Sequence, residues 1–329
     1  MAILRMNADE GGRVFDPNGG DWRARLSAAV GACPADAPIA ILLHGLRYSW
    51  RPGRGCDPHS TLYVAGPLPT SRRVRPDRVN WPHLLGFRED GVADGVCVAF
   101  GWDAGRLSDI RDAPTALARA SDGLTAVIEA VASMGRRADC LGHSLGAALP
   151  LSAMRARPGL PVRRVVMLGP AERRGAALTA VRAQARLEAT EFVHMLARAN
   201  DVFDEAYHRF APTSAEGCSR PLGAAGLGEA RPEWLDLQID HPLTRRWISR
   251  WTRRPERRPD RVSHWLFYSD EMLMTLYGRI LRDPSRSIIA TLRDGGAPDE
   301  IAPRWSRLRP RLARLRASGR GDISAPEAA

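Results

Sequence analysis

Continuous apolar runs alternate with amphipathic stretches along most of the chain, a pattern typical of buried parallel strands joined by helices. The run Ile-Ala-Ile-Leu-Leu at residues 39–43 indicates a central strand that is buried on both faces. Residues 21–32 predict an amphipathic helix with Asp21 as its N-cap, and residues 113–133 predict a longer one. Strands are predicted at residues 38–43, 95–101, 136–142, 162–168 and 189–197. We therefore expect an α/β fold whose doubly wound, mostly parallel sheet carries helices on both faces.

Two segments interrupt this alternation and are predicted to be insertions. Residues 47–80 are rich in Gly, Pro and Arg, and their apolar run at 61–65 predicts a hairpin strand. They follow the first central strand, so we expect them to overhang its carboxyl end. Residues 205–261 contain six prolines that break any long helix, and we expect them to form a cap.

A length of 329 residues suits one α/β domain with insertions. The expected organisation is a lead-in with one helix at residues 1–37, an α/β domain at 38–301 that includes both insertions, and a tail at 302–329. The tail is rich in arginine, and we expect its end to be disordered.

Composition excludes several classes of function. All 48 basic residues are arginine, so the chain has neither the lysine of a phosphate-binding P-loop nor that of a pyridoxal Schiff base. The net charge of +11 accompanies a chain rich in Ala and Arg, which points to gene base composition, and we expect no specific nucleic-acid partner. Five scattered cysteines without a C-x-x-C pair favour neither a disulfide framework nor a metal site. No run is long enough to span a bilayer and no leader is apparent, so a cytoplasmic location is expected; the oligomeric state is not indicated.

The strongest chemical signal is the motif Gly-His-Ser-Leu-Gly at residues 142–146, which joins a predicted strand to a predicted helix. Such a turn needs small flanking residues and lifts the hydroxyl of Ser144 above the sheet. The backbone N–H of Leu145 then faces any oxyanion that forms. A second donor is expected after the strand at 39–43, from Leu46 or Gly45, with Leu46 preferred. His44 is expected to shape that loop.

A carboxylate and a histidine follow the serine in chain order. Asp201 comes after the strand at 189–197 and is the preferred acid, with Asp204 as the alternative. His264 is the preferred base, and His241 is its main competitor. The order Ser, Asp, His is that of the α/β-hydrolase triad.

Beyond this order, the chain resembles the α/β-hydrolase superfamily, and within it a poorly characterised bacterial branch of predicted hydrolases. The resemblance covers roughly residues 38–282. It rests on residues 39–45, Phe100-Gly101-Trp102-Asp103, residues 142–146, Val165 to Ala171, and the segments around Asp201 and Ser263-His264.

The resemblance implies a serine hydrolase of the esterase or lipase type that acts on a small-molecule acyl substrate without a metal or organic cofactor. An acyltransferase with the same triad and a non-catalytic scaffold remain the alternatives.

Arginine and tryptophan alternate at residues 245–254 within the predicted cap. Trp247 and Trp251 are four residues apart and share one helical face. They are candidates for contact with an acyl substrate, although an amphipathic stripe of this kind more often packs on a core, and that alternative is favoured.

Overall fold

The computed structural model describes residues 2–64, 79–184, 190–211, 220–257 and 261–298. Within them, eight strands form one sheet in the order β2-β1-β4-β3-β5-β6-β7-β8. The strands are β1 (Ile3–Ala8), β2 (Val14–Phe15), β3 (Ile39–Leu43), β4 (Val96–Gly101), β5 (Ala138–His143), β6 (Val162–Leu168), β7 (Glu191–Leu196) and β8 (Trp234–Gln238). β2 is antiparallel to β1, and every other neighbouring pair is parallel. The expected α/β fold with a mostly parallel sheet is confirmed.

Helices connect the strands. Those of the described residues are α1 (Trp22–Ala32), α2 (Pro58–Thr61), α3 (Trp81–Leu84), α4 (Ala113–Ser133), α5 (Leu145–Ala156), α6 (Arg174–Gln184), α7 (Asp201–Phe210), α8 (Leu222–Ala225), α9 (Pro242–Thr252), α10 (Leu266–Ser269), α11 (Glu271–Arg282) and α12 (Ile288–Asp294). The Asp21 side chain accepts a 2.8 Å hydrogen bond from the backbone N–H of Arg23, as expected of an N-cap.

Two apolar cores lie on the two faces of the sheet. Alternate side chains of β3 enter different cores: Ile41 belongs to the core that includes residues of α1, α4, α5 and α6, whereas Leu42 belongs to the core that includes residues of α3 and of α9 to α12. All five residues of β3 are buried, because helices cover the strand on both sides. This burial explains why the run at residues 39–43 is apolar without interruption.

The strands predicted from apolar runs are β3 to β7, each correct to within two residues, with residue 189 outside the described residues. Three strands were missed. Residues 3–8 form β1 between β2 and β4, so they belong to the sheet and not to a lead-in. Their sequence, Ile-Leu-Arg-Met-Asn-Ala, is neither continuously apolar nor strictly alternating, so it does not indicate a strand. Parallel pairing with β4 makes this segment a strand.

The segment predicted as a cap contributes mainly to the body of the fold. β8 extends the sheet beside β7, and α9 packs against α11. Of the described residues in 205–261, only Ala206 and Tyr207 on α7 reach the cavity described below. A strand within a proline-rich stretch escapes local pattern analysis because the partner strand decides its pairing.

The first insertion also differs in detail. The hairpin strand predicted at 61–65 is wrong where the chain is described, because α2 ends at Thr61 and Tyr63 follows as a buried residue. The hydroxyl of Tyr63 donates to the Leu42 carbonyl at 3.0 Å, which anchors this segment on the central strand. Residues 65–78 and the whole predicted tail at 302–329 lie outside the described residues.

Candidate active site

Ser144 occupies the turn between β5 and α5 in a backbone conformation that residues with a side chain rarely adopt. Its φ and ψ are 57° and −121°, and positive φ strains a residue that carries a Cβ. The backbone is held from both sides: Ser144 N–H donates to the Leu168 carbonyl, and Ala171 N–H donates to the Ser144 carbonyl, each at 3.0 Å. The turn is thus fixed by the neighbouring strand β6 and the loop after it.

The two glycines of the motif permit close contact between backbones. A Cβ on Gly142 would overlap the Gly146 carbonyl, and a Cβ on Gly146 would overlap the carbonyl oxygens of Leu43 and His44. Rigid backbone surrounds both positions, so a larger residue has no room to enter. The requirement for glycine therefore follows from packing at the ends of β3 and β5.

The loop after β3 lies directly against this turn. A Cβ on Gly45 would lie 2.9 Å from both the His143 carbonyl oxygen and Ser144 Cβ. Leu46 and Leu145 both line the cavity that contains Ser144. Neither of their backbone N–H groups donates a hydrogen bond within the described part of the chain. Two unused donors at one cavity fit the oxyanion site expected from the sequence.

His44 supports the loop from beneath. Its Nε2 accepts from the Trp102 backbone N–H at 3.1 Å, so Nδ1 carries the ring proton and donates to the Gly45 carbonyl, also at 3.1 Å. The Trp102 indole N–H in turn donates to the His44 carbonyl at 3.1 Å. Burial lowers the pKa of His44 to about 3. Since both ring nitrogens are engaged, His44 shapes the loop, as the sequence predicted.

His264 lines the same cavity as Ser144 and is held by stacking. Its ring lies 4.6 Å from that of Phe203 at 23°, and 4.4 Å from that of His143. His143 Nε2–H donates to the His264 carbonyl at 2.9 Å, and Ser263 N–H donates to the Ala199 carbonyl at 3.0 Å. These contacts fix the backbone and the ring plane of His264. Burial lowers its pKa to about 4, so the imidazole is neutral at neutral pH.

The partner of the His264 ring is an amide. Nδ1 lies 2.7 Å from Oδ1 of Asn200, the residue just before the expected Asp201. The sequence-based preference for Asp201 at this contact is therefore not met. Residues 198–200 form a short 3-10 turn between β7 and α7, and its geometry directs Asn200 to the histidine. No local sequence pattern marks Asn200 over Asp201 for this contact, because the 3-10 turn sets which side chain faces the histidine.

Asp204, the alternative acid, contacts His264 only through that amide. Asn200 Nδ2 donates to Asp204 Oδ1 at 2.9 Å. Burial, and then the neighbouring Asp201, raise the pKa of Asp204 well above its usual value, although the bond from Asn200 opposes this shift. Within the described residues Oδ2 has no hydrogen-bond partner.

A cavity of about 460 Å³ opens over Ser144 and is lined mainly by apolar atoms. Arg47 lies in the cavity wall and has a positive φ of 76°. Its backbone N–H donates to the Gly105 carbonyl at 3.0 Å, and its carbonyl accepts from the Cys56 N–H at 2.8 Å. The lining residues are Leu46, Arg47, Tyr48, Cys56, Ile110, His143, Ser144, Leu145, Gly169, Ala171, Phe203, Asp204, Ala206, Tyr207, His264, Trp265 and Tyr268. No hydrogen bond joins Ser144 Oγ to His264 within the described residues, and such contacts often tighten only when substrate binds.

The remaining candidates lie elsewhere. Trp247 donates its indole N–H to the Gly295 carbonyl at 2.7 Å and stacks on Trp251 at 6.0 Å, and neither residue lines the cavity. Their position fits core packing and gives no support to the predicted contact with substrate. His241 caps α9, where its Nδ1 accepts from the Leu243 N–H at 3.3 Å, and it is also absent from the cavity wall.

No helix of the described residues has the length and apolar character to cross a membrane. The same residues contain no group of three or more His, Cys, Asp or Glu side chains suited to a metal ion. In comparisons with known proteins, no protein-family model matches the chain, and no curated protein is significantly similar to it.

Proposed function

We propose that the protein is a serine hydrolase that cleaves a carboxylic ester or related acyl bond through an acyl-serine intermediate. The observation that carries this proposal is the positive φ of Ser144 at a strand-to-helix turn whose cavity also contains His264. Strain of this kind persists only where the surrounding structure imposes it, and it is common at nucleophiles. The α/β fold alone would not support an activity, because unrelated functions share it.

The first step follows from the protonation of His264. Its Nδ1–H donates to Asn200, which leaves the lone pair of Nε2 free to accept a proton. As Nε2 takes the proton of Ser144, Oγ attacks the acyl carbon and a tetrahedral oxyanion forms. The backbone N–H groups of Leu46 and Leu145 would stabilise that charge, and one such donor typically lowers the barrier by about 3 kcal/mol.

The intermediate then collapses. The protonated His264 gives its proton to the leaving oxygen, the ester C–O bond breaks, and Ser144 retains the acyl group. Water attacks this acyl-serine with His264 again as the base, and the carboxylic acid is released. Asn200 orients the ring throughout, but a neutral amide stabilises the imidazolium less than a carboxylate would.

The cavity supports an acyl group of moderate size as the substrate. Its volume of about 460 Å³ lies within the usual range for small-molecule sites, and its lining is mostly apolar. Phe203, Trp265 and Tyr268 supply aromatic surface close to Ser144 and His264. We therefore propose esters with an apolar acyl chain, and we assign chain-length selection to these residues instead of Trp247 and Trp251.

A series of p-nitrophenyl esters of increasing acyl length tests this function. We expect turnover that depends on chain length and that falls at least 100-fold in both Ser144→Ala and His264→Ala. Ser133→Ala is the matched control, because this serine is the last residue of α4 and, within the described residues, its hydroxyl bonds only to the Ala130 carbonyl. The activity of this variant should equal that of the unchanged protein.

Absence of turnover across the series, in protein that is folded, would contradict the proposal. Faster release of p-nitrophenol with added alcohol, accompanied by a new ester product, would indicate acyl transfer in place of hydrolysis.

A further inference from the structure

Three side chains form a line that begins at the ring of His264. Asn200 Oδ1 contacts His264 Nδ1 at 2.7 Å, and Asn200 Nδ2 contacts Asp204 Oδ1 at 2.9 Å. Asn200 and Asp204 are buried, and Gly223 gives the carboxyl its space: a Cβ there would lie 2.7 Å from Asp204 Cγ. The amide is thus held between a histidine and a carboxyl in the interior.

The orientation of the Asn200 amide decides which tautomer His264 adopts. With Oδ1 toward the ring, Nδ1 must carry the proton, and Nε2 is left with a free lone pair. With the amide turned over, Nδ2 would donate to Nδ1, and the proton would move to Nε2, which could then accept nothing. In serine proteases, asparagine in place of the triad aspartate lowers turnover about 10⁴-fold for this reason.

We propose that Asp204 is a positioning residue that fixes the orientation of the Asn200 amide and thereby holds His264 in its Nδ1–H tautomer. An ionised carboxyl accepts hydrogen bonds and donates none, so it selects Nδ2 of Asn200 and turns Oδ1 toward the histidine. A proton on Oδ2, the oxygen without a partner in the described residues, would leave Oδ1 an acceptor and preserve this selection.

Only the catalytic consequence of this arrangement rests on the proposed hydrolase function; the tautomer itself does not. The contact between Asp204 and Asn200 explains how an amide can take the place of a triad acid without holding His264 in the Nε2–H tautomer, which cannot accept a proton. Asp204 thus acts on His264 through the side chain of Asn200.

Nitrogen NMR of the protein labelled with ¹⁵N-histidine measures the tautomer directly, with His264 assigned from the spectrum of His264→Gln. At pH 7.5 we expect His264 to carry its proton on Nδ1. In Asp204→Asn the new amide can donate as well as accept, so either orientation of Asn200 is satisfied, and the Nδ1–H population should fall to about half. Glu205→Gln is the matched control on α7, because Glu205 pairs with Arg209, and it should leave the spectrum unchanged.

A rescue separates positioning from general damage. The double variant Asn200→Asp with Asp204→Asn places an acceptor beside Nδ1 that needs no orientation, so the Nδ1–H tautomer should return. An unchanged Nδ1–H population in folded Asp204→Asn would overturn the proposal. Should that variant not fold, an Nε2–H tautomer in the unchanged protein would overturn it equally. If the tautomer responds as expected but no ester is cleaved, the hydrolase function fails and the positioning role stands.

Discussion

At the scale of single residues, the pKa of His264 depends on the fact that its hydrogen-bond partner, Asn200, carries no charge. A carboxylate beside Nδ1 would favour the protonated ring, whereas Asn200 supplies an acceptor without a charge. Burial therefore acts on His264 with little opposition and lowers its pKa to about 4. The neutral ring that the proposed mechanism requires is therefore present at neutral pH, but it is a weaker base than an ordinary histidine.

Asn200→Asp should reverse this balance. The introduced carboxylate stabilises the imidazolium, so the pKa of His264 should rise from about 4 toward or above its ordinary value of 6.5. Since the base must be unprotonated, the acid limb of kcat/KM should move to higher pH by the same amount. The pH dependence of ester hydrolysis measures this shift, with Glu205→Gln as a control whose limb should not move. An acid limb that stays in place or moves to lower pH would contradict the assigned contact.

Sequence reasoning at this scale succeeded where backbone geometry demands particular residues. Glycines at 142 and 146 mark the turn at Ser144, because rigid backbone excludes any side chain there. At the position predicted for the acid, the structure places Asn200 against His264, one residue before the predicted Asp201. The 3-10 turn at residues 198–200 sets which side chain faces His264, and no local pattern distinguishes Asn200 from Asp201 in that respect.

At the scale of elements, the site depends on the contact between the start of α5 and the end of β3. Gly146 lies so close to the carbonyls of Leu43 and His44 that the two elements meet through backbone alone. The same contact brings the loop at Gly45 against Ser144 Cβ. The proposed nucleophile and the proposed oxyanion donors are thus positioned by one packing arrangement.

Gly146→Ala should therefore destabilise the protein and distort the site together. The added methyl group would overlap backbone that cannot withdraw, and overpacking of this kind costs about 1–3 kcal/mol or more. Gly31→Ala is the matched control: Gly31 is exposed on α1 with open space around its Cα, so alanine should raise stability by up to about 1 kcal/mol. Urea unfolding measures both. Equal free energies of unfolding for Gly146→Ala and the unchanged protein would show that Gly146 does not lie against the carbonyls of Leu43 and His44.

Among the elements, β3 to β7 were predicted from their apolar residues, which supply both cores of the sheet. β1 and β8 were missed, and pairing with β4 and β7 places them in the sheet. The cap predicted at 205–261 is not confirmed, since β8 lies within this segment and pairs with β7 in the sheet.

At the scale of the whole molecule, the parallel sheet explains why distant segments meet. The carboxyl ends of parallel strands share one edge, which is where α/β proteins commonly bind ligands. Leu46 follows β3, Ser144 follows β5 and Asn200 follows β7, while His264 precedes α10 and packs against His143. Chain order could predict the edge, but the contacts that complete the site required the folded structure.

The central claim is that Ser144 is a nucleophile activated by His264. Incubation with a fluorophosphonate, followed by intact-mass measurement and peptide mapping, tests it most directly. We predict a single adduct on Ser144 that forms in the folded protein and not in urea-unfolded protein, and that forms at least 100-fold more slowly in His264→Ala. Labelling of a different serine, or no labelling of the folded protein, would contradict the account.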